Sequence, residues 1–114
     1  MDPDRCTTLI EMLAGRAEEN AGQVAFTYQD RSVTYAEMWA GINRFARRLL
    51  ELGVQPGERV LMALPNGPEF FSAFYGVQRA GGIAVPVFPG AGPERVFAIA
   101  RLCGARKVVA PSNL

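Results

Sequence analysis

The sequence predicts an α/β domain with a parallel-sheet core, flanking helices and an N-terminal β-hairpin. Three observations predict it. From Arg59 onward, short β-branched runs alternate with apolar stripes at helical spacing, and the connections are short. Strand, helix, strand in that order implies a parallel sheet with right-handed crossovers. Nearer the N-terminus, two short runs separated by Gln29-Asp30-Arg31 read as an antiparallel hairpin. Finally, 114 residues with 49% hydrophobic and 20% charged content suit one small soluble domain with a real core, and no more.

The elements follow in order. Thr8-Leu9-Ile10-Glu11 has the spacing of a capping box, and Leu9, Met12, Leu13 and Ala17 then form an apolar stripe on a helix ending near Asn20-Ala21-Gly22. Val24 to Tyr28 alternates, with Val24, Phe26 and Tyr28 on one face, and Ser32 to Thr34 returns. Thr34-Tyr35-Ala36-Glu37 is a second capping box. Behind it Met38, Ile42, Phe45, Leu49 and Leu52 predict one buried helix face, with Arg44, Arg47, Arg48 and Glu51 on the solvated side. Gly53 suits the C-terminal cap and Pro56-Gly57 a turn. Arg59 to Leu64 is a strand. Pro68 opens the next helix, where its missing N–H costs nothing, and Phe70, Phe71, Phe74 and Val77 are its core residues. Gly81-Gly82 end that helix. Ile83 to Phe88 is a strand, Pro93 to Cys103 a helix with Val96, Ile99, Ala100 and Cys103 inward, and Lys107 to Ala110 a last strand.

Several function classes fall away. Twelve basic against 11 acidic residues leave a net charge of +1, which offers no electrostatic footprint for nucleic acid. Proline and glycine interrupt every apolar run well before the roughly 20 residues of a membrane span. The opening MDPDRCTT lacks the basic region of a secretory signal, so a cytoplasmic location is expected. Cys6 and Cys103 have no metal-ligand spacing and read as free thiols. The chain has no histidine, which excludes Ser-His or Cys-His catalysis within it and any histidine-bearing metal site.

One glycine-rich turn invites a nucleotide. Pro89-Gly90-Ala91-Gly92-Pro93-Glu94-Arg95 begins like the dinucleotide fingerprint G-x-G-x-x-G, but Arg95 stands where the third glycine belongs. Pro93 removes an amide that would face a phosphate, and Glu94 brings a negative charge to the helix start. No G-K-[ST] occurs anywhere, so a Walker loop is excluded. A dinucleotide-binding oxidoreductase module and a non-catalytic docking domain of a multienzyme are the rival readings.

Thr34-Tyr35-Ala36-Glu37-Met38 resembles the first core motif of AMP-forming adenylating enzymes, and Arg79-Ala80-Gly81-Gly82-Ile83-Ala84-Val85-Pro86 resembles the second. Between them, Gly53 to Val60 and the LPNGPEF turn from Leu64 to Phe70 keep the order of that superfamily. It includes acyl-CoA synthetases, peptide-synthetase adenylation domains and fatty acyl-AMP ligases. The wording AFYGVQRAGGIAVPVFP from Ala73 to Pro89 looks most like the fatty acyl-AMP ligase branch.

The resemblance implies that residues 1–114 are the N-terminal fragment of an AMP-binding domain, an incomplete first subdomain. It implies a parent ligase that uses ATP and Mg2+ to turn a fatty acid into an acyl-adenylate. The acyl group then passes to the phosphopantetheine thiol of an acyl carrier protein or to coenzyme A. The superfamily's phosphate-gripping loop ending in lysine, its ribose-binding aspartate and its C-terminal lysine have no counterpart in these residues. The resemblance therefore assigns no catalytic residue here, no metal site, and no nucleotide bound by the fragment alone. It places the turn Phe88, Pro89 and Gly90 beside the path of coenzyme A or the acceptor thiol. A truncated sheet would leave the Lys107–Ala110 edge unpaired, which predicts self-association.

Overall fold

The computed structural model describes residues 8–111. Cys6 lies outside the described residues. The element order is α1 (Leu9–Glu19), β1 (Val24–Tyr28), β2 (Arg31–Thr34), α2 (Tyr35–Glu51), β3 (Arg59–Met62), α3 (Pro68–Arg79), β4 (Ile83–Pro86), α4 (Pro93–Cys103) and β5 (Lys107–Val109). β1 and β2 form an antiparallel two-stranded sheet, and β4-β3-β5 a parallel three-stranded one. The predicted α/β class with a hairpin is the observed one.

The helix ends follow from named residues. At α2 the capping box is complete: the Thr34 hydroxyl accepts from the Glu37 amide at 3.1 Å, and Glu37 Oε1 accepts from the Thr34 amide at 3.1 Å. At α1 the Thr8 hydroxyl accepts from the Glu11 amide at 3.1 Å. Helices α2, α3 and α4 all close the same way. Gly53, Gly81 and Gly104 take positive φ, and the next residue's amide bonds back to Leu49, Val77 and Ala100 respectively. Those paired bonds form the Schellman motif, which satisfies carbonyls that a helix end would otherwise leave unpaired.

β3 is the axis of the core. Val60, Leu61 and Met62 are wholly buried, because the strand has a neighbour on each edge and a helix layer on each face. Val60 and Met62, with Leu64, join Ala46, Leu49, Ala73 and Val77 of α2 and α3. Leu61 and Ala63 join Val96 and Ala100 of α4 on the other face. A third cluster, around Val33, Met38 and Ile42, ties the hairpin and α1 to α2.

β3 and β5 end at Met62 and Val109, short of the expected Leu64 and Ala110, and four further expectations needed correction. Val24, Phe26 and Tyr28 do not share a buried face: the register shifts between Val24 and Phe26, so Ala25 and Phe26 both pack inward while Val24 is 54% exposed. The bulge inserts one unpaired residue and so breaks the period of two. Leu52 is outside the core because α2 stops at Glu51, and Gly53 turns the chain so that Val54 enters instead. On α3 the buried line is Ala73, Gly76 and Val77, while Phe70 and Phe74 pack at its margin and Phe71 is exposed. Finally, β4 ends at Pro86, because Pro89–Ala91 already forms a 3-10 turn.

Candidate functional site at the carboxyl end of the sheet

In an open parallel sheet, ligands approach the carboxyl ends of the strands. Here that end carries the Pro65-Asn66-Gly67 turn after β3, the Val87–Gly92 segment after β4, and Ala110-Pro111 after β5. The sequence-predicted residues Phe88, Pro89 and Gly90 lie in the second of these.

The segment is built tightly. The Val87 amide donates to the Met62 carbonyl at 2.8 Å, which prolongs the β3–β4 pairing by one residue. Phe88 then leaves the sheet and is 74% exposed. The Ala91 amide donates to the Phe88 carbonyl at 3.1 Å and closes the 3-10 turn over Pro89. A Cβ on Gly90 would lie 2.7 Å from Cζ of the Phe88 ring, so the ring rests against the glycine backbone. Gly92 has φ +91 and ψ 159, a region open essentially to glycine alone, and it aims Pro93 into the first position of α4.

The donor set does not fit nucleotide phosphate or magnesium. Pro93 brings no amide to the α4 terminus, the Val96 amide is already bonded to the Gly92 carbonyl at 3.1 Å, and Glu94 stands in the first turn. Among the described residues no three His, Cys, Asp or Glu side chains gather as metal ligands.

Lys107, the only lysine, is occupied at the opposite end of the sheet. Its ammonium donates to Glu58 Oε2 at 2.7 Å, joining the start of β5 to the turn before β3. That hydrogen bond, and the Gln55 amide donating at 2.9 Å, hold the Glu58 carboxyl below the usual carboxylate range. The Glu37 carboxyl is lowered as well, by the Thr34 amide and then the Thr34 hydroxyl. Both shifts stem from structural contacts, and neither carboxylate faces the Phe88 turn. Sequence reasoning missed two features: the placement of the Phe88 ring, and a groove of about 610 Å³ between the hairpin, α2 and the start of α3.

The sequence profile of the AMP-binding enzyme family matches residues 13–114. The chain belongs to that family. A long-chain-fatty-acid–CoA ligase of Yersinia pestis is 36% identical over 114 residues, covering 99% of this chain and 20% of the ligase. A nonribosomal peptide synthetase solved in an AMPPNP-bound form superposes with a TM-score of 0.89 at 28% identity, over 99% of this chain and 12% of that one. The fatty acid AMP ligase of Legionella pneumophila shares the fold, with a TM-score of 0.87 at 24% identity over 99% of this chain and 21% of that one. The chain spans no more than 20% of the first curated relatives it matches. As an AMP-binding family member it has the α/β architecture of the N-terminal subdomain of adenylating enzymes. Among the described residues no helix is long and apolar enough to cross a membrane.

Proposed function

We propose that this chain is the N-terminal part of an ATP-dependent ligase that activates a fatty acid and passes it to a carrier-protein thiol. In the first step a carboxylate oxygen attacks the α-phosphorus of ATP; the new P–O bond forms as pyrophosphate leaves. In the second, a thiol attacks the acyl carbonyl, the thioester forms and AMP departs. Magnesium would neutralise the phosphates during the first step. The role of the present residues is to carry the sheet and the turn; the phosphate-gripping groups come from beyond them.

The observation that carries the acceptor assignment is the Phe88-Pro89-Gly90 turn. A coenzyme A nucleotide lying on this turn would need backbone access. Pro89 has no N–H to offer and a fixed φ, and the Phe88 ring covers Gly90. A pantetheine arm brings no adenine nucleotide and makes no such demand. This supports the fatty acyl-AMP ligase branch, as does the sequence from Ala73 to Pro89.

The test is acyl transfer by the complete enzyme to free coenzyme A and to a holo carrier protein, for wild type and Pro89→Gly. Wild type is expected to favour the carrier, and Pro89→Gly to raise transfer to coenzyme A selectively. Equal formation of acyl-CoA and acyl-carrier thioester by wild type would overturn the acceptor assignment. Activation is tested separately by ATP–pyrophosphate exchange with fatty acids of several lengths. Exchange is expected from the complete enzyme and not from residues 1–114 alone.

A further inference from the structure

We propose that the outward face of α4 is the surface on which the body of the carrier protein docks while its pantetheine arm enters along the Phe88 turn; this rests on the acceptor reading given above. The three most exposed large apolar side chains among the described residues are Leu102 at 87%, Phe88 at 74% and Phe97 at 57%. All three lie on that turn or on the helix it opens. Exposed apolar side chains scattered singly carry no meaning, but their concentration beside one site marks an interaction surface.

The helix presents them because its other side is taken. Val96 and Ala100 are buried with Leu61 and Ala63, and Ile99 and Cys103 pack beside them. Phe97 and Arg101 are four residues apart, as are Ala98 and Leu102, so the two pairs form adjacent rows on the side away from that contact. Leu102 stands nine residues beyond Pro93. At roughly 1.5 Å per residue that is about 14 Å along the axis. The strip therefore runs from the turn that would guide the arm outward to where the arm's bearer would lie.

Place and apolar area, not charge, identify the occupant. Glu94 and Arg95 offset one another in the first turn of α4, and Arg101 alone adds a net charge to the helix. Phe97 with Arg101 is the aromatic-and-arginine composition enriched at protein–protein contacts, and Leu102 extends its apolar area. Free coenzyme A ends at its nucleotide and brings no apolar body to cover Phe97 and Leu102. A carrier protein must hold its arm at the turn, and so brings folded surface against the adjoining helix. Docking there raises the effective concentration of the arm at the turn.

The complete enzyme is assayed for acyl transfer to two acceptors: the holo carrier protein, and free pantetheine, which is the arm without the body. Phe97→Ser with Leu102→Ser is compared with wild type and with Leu50→Ser, Leu52→Ser, a pair exposed at the end of α2. The α4 pair is expected to raise KM for the carrier roughly tenfold or more, with kcat, transfer to pantetheine and the circular dichroism melt unchanged. The α2 pair is expected to leave the carrier KM in place. An unchanged carrier KM in the α4 pair, an equal loss with pantetheine, or a comparable loss in the α2 pair would overturn the proposal and leave the acceptor reading intact. So would a lowered melt or lost ATP–pyrophosphate exchange in the α4 pair, since the face would then be packed inside the complete protein. No transfer to the carrier by wild type would instead remove the acceptor reading, and this proposal with it.

Discussion

Gly76 is the residue whose replacement tests most directly how this fold is held. It lies in mid-α3, buried against α2. A Cβ there would sit 2.6 Å from Phe45 Cβ, 3.2 Å from the Ile42 carbonyl oxygen and 3.3 Å from the Ala46 nitrogen. The first contact falls roughly 0.8 Å short of ordinary van der Waals separation, and the atoms involved are backbone or first side-chain carbons that cannot rotate away. α2 and α3 must therefore part along the seam where Ala46, Ala73 and Val77 meet. Overpacking of this kind costs about 1–3 kcal/mol, against a gain of about 1 kcal/mol from replacing a mid-helix glycine by alanine. Gly76→Ala is expected to lose up to about 2 kcal/mol net.

Gly41 provides the matched control. It too is a buried, mid-helix glycine, on α2, and a Cβ there would meet Ser72 Oγ at 2.5 Å. That atom is the end of a side chain that can rotate, so Gly41→Ala keeps most of its helix-propensity gain and is expected within about 1 kcal/mol of wild type on the stable side. Urea unfolding of both variants, followed by circular dichroism, measures the contrast. A Gly76→Ala protein at least as stable as Gly41→Ala would refute the reasoning, since it would mean the helices part without loss.

Three further outcomes are expected. Thr34→Ala removes the hydroxyl that caps α2 and should cost about 1 kcal/mol in the same urea assay. The carboxyls of Glu37 and Glu58 are depressed in the folded state, so their stabilisation is complete above the ordinary carboxylate value of 4.5 and is lost as pH falls through their folded values. Lys107→Met should accordingly lower stability at neutral pH and flatten the acid limb of a pH–stability curve; an unchanged limb would remove Glu58 from the account. Residues 1–114 expressed alone should self-associate, because β4 and β5 are both open edges and Phe97 and Leu102 are exposed on α4. Light scattering across concentration checks this, and a monomer throughout would contradict it.

The parts of the fold that were legible in the sequence are those written in local chemistry. Thr34 with Glu37, Gly53, Pro68 and Gly81 mark helix ends through local backbone chemistry that involves only neighbours in the chain. The parallel pairing followed from alternation of strands and helices. The rest depended on distant partners. Gly41 and Gly76 look like weak points in a helix until the opposing helix is known, and then they are where two backbones come close. The aromatic stripe on α3 drew attention to Phe71, which is exposed because Ala73 and Gly76 take the contact face. The bulge at Ala25 carries no sequence mark. Phe88, Pro89 and Gly90 could be named from resemblance, but the ring of Phe88 lying on Gly90 is a side-chain placement that spacing does not encode.

The arrangement also explains how the central strand fixes the position of the turn after β4. β3 is clamped from both faces and both edges, and β4 hangs from it in register from Arg59 opposite Ile83 to Met62 opposite Pro86. The Val87 amide extends that register one step further, to the Met62 carbonyl, so the position of Phe88 is fixed by the most buried strand in the molecule. Beyond Val87 control passes to Pro89, Gly92 and Pro93, residues that restrict the backbone but offer few donors. If the turn borders the acceptor's path as proposed, its firm anchoring and the amides missing at Pro89 and Pro93 would favour guiding a pantetheine arm over gripping phosphate. The same anchoring separates the two consequences of Pro89→Gly: the sheet behind the turn should keep its stability, and any change in acceptor preference would then belong to the turn itself.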